Sequence, residues 1–419
     1  MKEFIDFLNA SPTAFEAVEN ISVKLKDNGY EELKENEPFR VKKGGKYYVT
    51  RNGSSIIAFN IGKKLNDPSL QLCASHGDCP SFKIKPGSLI YSDGYLKLNT
   101  EVYGGALYYP WLDRPLSLAG RLIVKDKNGE IRAENYVLNE PFCIIPSLAI
   151  HMNRGVNDNL KLDPHIDLVP MCSLKKGDLL PWLKKKTRKD ILSYDLYLYP
   201  LQSAYVWGQD KEFISSFHLD DLECAYTTLR GFIDTFNDDN INVYCCFDNE
   251  EVGSLTRQGA GSDFLESTLR RVAEALKLDY HILVARGMML SCDNAHAIHP
   301  DHLEKADEIN RPEMNKGIVI KYNANQSYTS DALSVAVFKD LLDRNGIPNQ
   351  YFTNRSDMRG GSTLGNISNG HVSLLSVDIG LAQLAMHSPL ETAGTEDVEY
   401  MIKGVEAFYK AHLKENTLV

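Results

Sequence analysis

The feature that most constrains this 419-residue chain is a change of hydrophobic rhythm near Lys211. From there on, segments with helical spacing alternate with short apolar runs of strand length. Residues 221–232 are expected as a helix and 243–247 as a buried strand. Residues 264–276 read as an amphipathic helix, 280–285 as a strand and 318–322 as another. A helix over 330–344 stops at Gly346, a strand follows over 372–379, and 396–413 forms a closing helix. Such alternation buries its apolar faces as helices packed on both sides of a mostly parallel or mixed sheet.

The preceding chain is patterned differently. Residues 3–34 carry helical spacing (Phe4, Phe7, Leu8, then Ala17, Ile21, Leu25), interrupted by Ser11-Pro12-Thr13 with Pro12 placed to start a helix. Runs at 47–51, 55–61 and 70–75 alternate as strands of a sheet that is at least partly antiparallel. Residues 93–210 are rich in Tyr, Leu, Val and Pro, with short strand candidates and turn signals such as Asp126-Lys127-Asn128-Gly129. The basic run at 184–189 reads as a solvated loop. The expected organisation is an α/β domain in two parts, 1–92 and 211–419, split by a mostly-β insertion over 93–210; a chain of this length suits two unequal domains.

Composition excludes several classes. The longest apolar runs are far shorter than a membrane span, and Met1 is followed at once by Lys2, Glu3 and Asp6, so no apolar leader is expected and the product is placed in the cytoplasm. The cysteines at 73, 79, 143, 172, 224, 245, 246 and 292 form no CxxC pair and are expected as reduced, buried thiols. A net charge of -10 argues against a nucleic-acid partner.

Five segments put candidate metal ligands at or beside the ends of strand-like runs, where α/β domains build their sites. They are Ser75-His76-Gly77-Asp78, His218-Leu219-Asp220-Asp221, the stretch 248–254 with adjacent Glu250 and Glu251, Ser291-Cys292-Asp293-Asn294-Ala295-His296, and Met386-His387-Ser388. Two neighbouring carboxylates after an apolar strand carry a desolvation cost. A metal ion on one and a catalytic proton on the other would offset it; a surface acidic turn is the plainer alternative for that segment alone. Taken together, the segments supply two His, two Asp and one Glu as ligands, with one Glu left over. Zn²⁺ accepts imidazole and carboxylate ligands and keeps an open position in catalytic sites. A pair of ions needs a shared carboxylate, and Asp220 at a helix start is suited to that role. Glu250, free of metal, would take the proton of a bridging water.

In chain order, Ser75-His76-Gly77-Asp78-Cys79-Pro80, Tyr103-Gly104-Gly105, Leu112-Asp113-Arg114-Pro115-Leu116-Ser117-Leu118-Ala119-Gly120-Arg121, Leu219-Asp220-Asp221-Leu222, the stretch 248–254, Asp293-Asn294-Ala295-His296-Ala297, Gly361-Ser362-Thr363-Leu364-Gly365 and Ala385-Met386-His387-Ser388 resemble the signature blocks of the aspartyl aminopeptidase family. The resemblance implies a two-zinc metalloaminopeptidase, a peptide hydrolase acting on free N-termini with a preference for Asp or Glu. It places His76, Asp220 and Asp293 on one ion, and Asp220, Glu251 and His387 on the other, with Glu250 as general base and Asp78 orienting His76. Co²⁺ and Mn²⁺ suit the same ligands. By the same block matching, Lys321, His299 and Tyr328 line the pocket for the first residue. The insertion is implied to be a dimerisation domain, with dimers assembling into a tetrahedral dodecamer and His151 reaching into a neighbouring subunit's site.

The sequence departs from the family at Gly77 (usually Thr), Cys79 (Ser), Asp221 (Asn) and Asn249 (His). None removes a ligand or the base, and the extra carboxylate of Asp221 is expected to face solvent. The competing readings are another two-metal hydrolase (a neutral-residue aminopeptidase, a carboxypeptidase or a deacylase) and a self-assembling scaffold. Intact Glu250 beside Glu251 argues against the scaffold, because a structural metal has no use for an unliganded carboxylate.

Overall fold

A computed structural model of the protein describes residues 1–413. Its centre is a nine-stranded mixed sheet in the order Glu31–Leu33, Lys46–Arg51, Ser55–Ile61, Ile241–Phe247, Leu70–His76, Met288–Cys292, Leu375–Gly380, Ile318–Tyr322, Asn349–Thr353. The strands that end in the candidate ligands run parallel: Ile241–Phe247 and Met288–Cys292 flank Leu70–His76, and Leu375–Gly380 follows. Successive residues alternate between two cores. Tyr244 and Cys246 pack with the helices Leu219–Ile233 and Asp397–Lys410 on one face, and Val243, Cys245 and Phe247 with the helix Phe264–Leu276 on the other. This is the mixed α/β fold expected, and none of the described helices is long and apolar enough to cross a membrane.

A second, antiparallel sheet of six strands has the order Ile131–Val137, Leu116–Lys125, Asp190–Pro200, Ser81–Ser92, Tyr95–Tyr103, Met171–Ser173, over its own apolar core around Trp111. The Ser81–Ser92 strand, expected in the first part of the α/β domain, therefore pairs in this second sheet. A third sheet joins Tyr205–Trp207, Phe213–Ser216, Glu391–Gly394, Ala382–Leu384 and Ala295–His296.

Several local expectations are corrected. Residues Tyr280–Ala285 form a helix, because Asp279 caps it by accepting the N–H groups of His281 and Ile282. The strand that feeds the site is instead Met288–Cys292. Pro12 lies outside the second helix, which starts at Ala14 and is capped by Thr13 accepting from Phe15 N–H at 3.3 Å. That helix ends at Asp27, and Glu31–Leu33 joins the sheet. Lys184–Lys186 lie in the last turn of the helix Leu179–Thr187 rather than in a loop. Lys184, Lys186 and Lys189 pair there with Asp190, Glu140 and Glu134. The strand expected from 372 begins at Leu375.

The central strands meet the site at very close range. Asp293 N–H donates to the Ile379 carbonyl at 2.9 Å, and a Cβ added to Gly380 would overlap the Asp293 carbonyl oxygen. Gly380→Ala is expected to destabilise the fold by about 1–3 kcal/mol, as overpacking does, and to displace Asp293. Denaturant unfolding together with zinc content measures both.

Candidate active site

Each candidate ligand is delivered by a different turn. His76 ends the Leu70–His76 strand, paired across from Phe247, and Gly77 N–H donates to the Phe247 carbonyl at 2.8 Å. The chain leaving Phe247 turns through Asn249, whose φ is +63°, and lays down Glu250 and Glu251 in a single 3₁₀ turn. Asp293 follows the Met288–Cys292 strand. Asp220 starts the Leu219–Ile233 helix with extended rather than helical backbone (φ -84°, ψ 103°), joined to Asp221 by a cis peptide. His387 sits at φ +67° in a tight turn closed by Ser388 N–H donating to the Ala385 carbonyl.

These turns bring the ligand atoms together. His76 Nε2 lies 3.6 Å from Asp220 Oδ1 and 4.0 Å from Asp293 Oδ1. His387 Nε2 lies 3.4 Å from both Asp220 Oδ2 and Glu251 Oε1. Asp220 thus turns one oxygen to each imidazole. Both rings are fixed in the tautomer that aims Nε2 inward, because each Nδ1 is 3.0 Å from a backbone carbonyl, that of Asp78 for His76 and that of Gly105 for His387. A tetrahedral zinc with bonds of about 2.0–2.2 Å spaces its ligand atoms by roughly 3.3–3.6 Å, the separation of His76 from Asp220 and of His387 from Asp220 and Glu251. Glu250 lies within reach of His76 and Glu251 but belongs to neither of the two triads that share Asp220.

Carboxylates outnumber the cationic groups in the cluster. Asp220 Oδ1 and Glu251 Oε1 are buried and make no hydrogen bond among the described residues. Burial pushes Glu250 up to about 8 and Asp293 to about 6. Burial opposes charge on the imidazoles, yet the carboxylates facing them, Asp220 foremost, together raise His76 well above its ordinary value and His387 to about 10. Divalent cations, one held by each triad, would offset the excess carboxylate charge, leaving neutral imidazoles and ionised carboxylates. The donor set, two His with carboxylates and no thiolate, fits zinc.

The residues expected around the cluster divide. Tyr328 and Lys321 line the same cavity of about 400 Å³ as the ligands. Lys321 is buried, however, and its ammonium donates to the Asp293 carbonyl at 2.7 Å, sits 3.5 Å from Asp293 Oδ2 and lies 5.0 Å over the Tyr328 ring. His299 lines a neighbouring cavity and is exposed. His151 is exposed in a turn of the β segment and lines neither cavity. Asp221 does not face solvent: it is fully buried, and its Oδ2 accepts His76 N–H at 3.2 Å.

The whole pattern has close counterparts. A family profile described as "Aminopeptidase I zinc metalloprotease (M18)" matches residues 7–409. A protein named probable M18 family aminopeptidase 2 from Clostridium novyi (strain NT) is 43% identical, covering 97% of this chain and 98% of the relative. Its namesake in Ectopseudomonas mendocina (strain ymp) is 39% identical, covering 97% of each. This chain belongs to the M18 aminopeptidase family. That is the aspartyl aminopeptidase family pointed to by the motif blocks, and the M18 chain is accordingly a zinc aminopeptidase, a peptide hydrolase. Its fold superimposes on the S. cerevisiae mApe1 dodecamer subunit with a TM-score of 0.86 at 28% identity, over 97% of this chain and 95% of that one.

Sequence reasoning named Asp78 but missed Glu391 and Tyr103, which help hold the candidate ligands in place. Buried Glu391 accepts Asp220 N–H at 2.9 Å and His387 N–H at 2.6 Å, fixing two residues far apart in the chain. Asp78 orients His76 mainly through its backbone carbonyl. Its carboxylate instead accepts the N–H groups of Glu250 and Glu251 at 3.0 and 3.2 Å and the Tyr103 hydroxyl at 2.6 Å. Asn249 continues this relay: its amide donates to Tyr103 Oη at 2.8 Å, while its carbonyl oxygen accepts from Thr256 and Gln258. Asp78→Asn is expected to weaken zinc binding or activity by roughly 10–100-fold, as loss of a ligand's supporting partner does. Chelator competition and turnover at saturating zinc separate the two effects.

Proposed function

We propose that this chain hydrolyses the first peptide bond of substrates with a free N-terminus, prefers Asp or Glu there, and works with two zinc ions per subunit. The observation that carries the reading is Asp220, one oxygen toward His76 and Asp293, the other toward His387 and Glu251, with Glu250 beside the cluster and outside both triads. His76, Asp220 and Asp293 would hold one ion, and Asp220, Glu251 and His387 the other. Bound there, zinc supplies Lewis acidity for a carbonyl oxygen and acidifies water.

The chain's own groups do the rest. Glu250 takes the proton of the attacking water and returns it to the leaving amine, a role suited to a buried carboxylate at the cavity wall. The carboxylates lining the cavity favour a cationic α-amine over an acylated one. Lys321 is the cation in that cavity and would attract an acidic first side chain from behind Asp293. Residues 93–210, with the second-sheet strand Ser81–Ser92, act as the dimerisation domain. Exposed Leu148, Ile150 and Met152 around His151 form an apolar tip suited to a neighbouring subunit, and the dodecameric likeness supports a closed homo-oligomer. The free cysteines suit a reducing cytoplasm.

Glu250→Gln tests the base: turnover should fall by about 10²–10⁴, while zinc content measured by metal analysis stays at the wild-type level. Equal turnover with zinc retained would remove the assignment. Paired peptides, one with a free N-terminal Glu and one acetylated, should be split only when the amine is free. Faster hydrolysis of Leu-amide than of Glu-amide would overturn the acidic preference.

A further inference from the structure

The catalytic cavity shares part of its wall with another. His296, Phe352 and Gly361 line it and also line a second cavity of about 420 Å³. The two hollows differ in charge. The first is bordered by carboxylates, whereas none of the residues lining the second is an Asp or Glu. Lys305, Arg311 and Arg359 line it, exposed, and no hydrogen bond or ion pair engages their side chains among the described residues. Two further basic side chains of the same wall already have partners: Arg355 is paired with Asp357 at 2.8 Å, and His302 lies 3.4 Å from Glu304. His299 Nδ1 accepts Asp301 N–H at 3.1 Å, which leaves Nε2 as the ring's donor.

Unpaired like charges around one concave surface repel one another, and a bound anion relieves that repulsion with charge-assisted hydrogen bonds. Because the hollow adjoins the place where peptides are cut, the anion it meets is a peptide carboxylate. We propose that this second cavity is a carboxylate-binding subsite continuous with the catalytic one, in which Arg311, Arg359, Lys305 and His299 hold a carboxylate of the substrate. That carboxylate is the C-terminus of a short leaving segment, since the first side chain has Lys321 in the catalytic cavity. The proposal rests on the aminopeptidase reading above and deepens it. It also separates His299 from Lys321, which serves Asp293 at the floor of the catalytic cavity.

The test uses zinc-loaded full-length enzyme and the double variant Arg311→Ala/Arg359→Ala, both positions being exposed. Two ratios of kcat/KM are measured, Leu-Ala over Leu-Ala-amide and Glu-amide over Leu-amide. The double variant should lose roughly tenfold in the first, the size expected for removing charge-assisted hydrogen bonds, and keep the second within about twofold. A fall in the first ratio alone supports the subsite; a fall in the second alone would overturn it, because the cations would then serve the first residue. Both ratios within about twofold of wild type would overturn the subsite. Loss of acidic preference in the wild-type enzyme itself would strike the specificity proposed above without touching the first ratio.

Discussion

The site depends on a single carboxylate facing two imidazoles. Asp220 is buried, its N–H is gripped by Glu391, and its two oxygens face His76 and His387 on opposite sides. A carboxylate held this way cannot swing to satisfy one partner at the expense of the other. Its backbone is extended where a helix would otherwise begin, so the oxygens lie across the cluster instead of pointing back to cap the helix. Glu391 then sets His387 by the same means, one carboxylate holding two ligands through their backbone N–H groups.

Around that pair, positioning is done largely by main-chain hydrogen bonds. Carbonyls of Asp78 and Gly105 fix the imidazole tautomers. The Asp78 carboxylate fixes the turn carrying Glu250 and Glu251, and Tyr103 with Asn249 fixes Asp78. Lys321 steadies Asp293 through its carbonyl. Backbone groups cannot change rotamer, so the ligands keep their spacing even though the cluster by itself is short of positive charge, with Glu250 and Asp293 pushed up by burial. The departures from the family fit inside this frame. Asn249 is a hub of the relay, and Gly77 leaves room beside Cys246, whose sulfur a Cβ would approach to 3.1 Å.

The clustering of His76, Asp220, Glu250, Glu251, Asp293 and His387 was legible because several of them stand at or near the ends of apolar runs and all fall in motif blocks of the family. Strands buried on both faces, such as Ile241–Phe247, announce themselves by composition. Misreadings arose where a short apolar run is ambiguous in period: Tyr280–Ala285 has strand-forming residues, but Asp279 caps it as a helix. The domain boundary at 93 cut a hairpin at its tip. Asp93 and Gly94 both have positive φ and join Ser92 to Tyr95, a two-residue Asp-Gly turn that pairs the flanking strands. Glu391 and the buried setting of Asp221 could not be read, since nothing local distinguishes a buried acid from an exposed one.

That hairpin bears on how the parts combine. Its second strand ends at Tyr103, which donates to Asp78, and the chain continues to Gly105, which accepts from His387. Gly104 has φ +70° and leaves 3.0 Å between a would-be Cβ and Glu251 Cβ, so only glycine fits that approach without strain. The third sheet contributes Glu391, and the central sheet His76 together with the residue before Asp293. The ligand cluster therefore stands where three sheets meet, and no one of them carries it alone. The β segment is not an appendage to a finished catalytic domain, because without Tyr103 and Gly105 the Glu250 turn and the His387 ring lose their anchors. Whatever the second sheet does for assembly, it is first part of the active site.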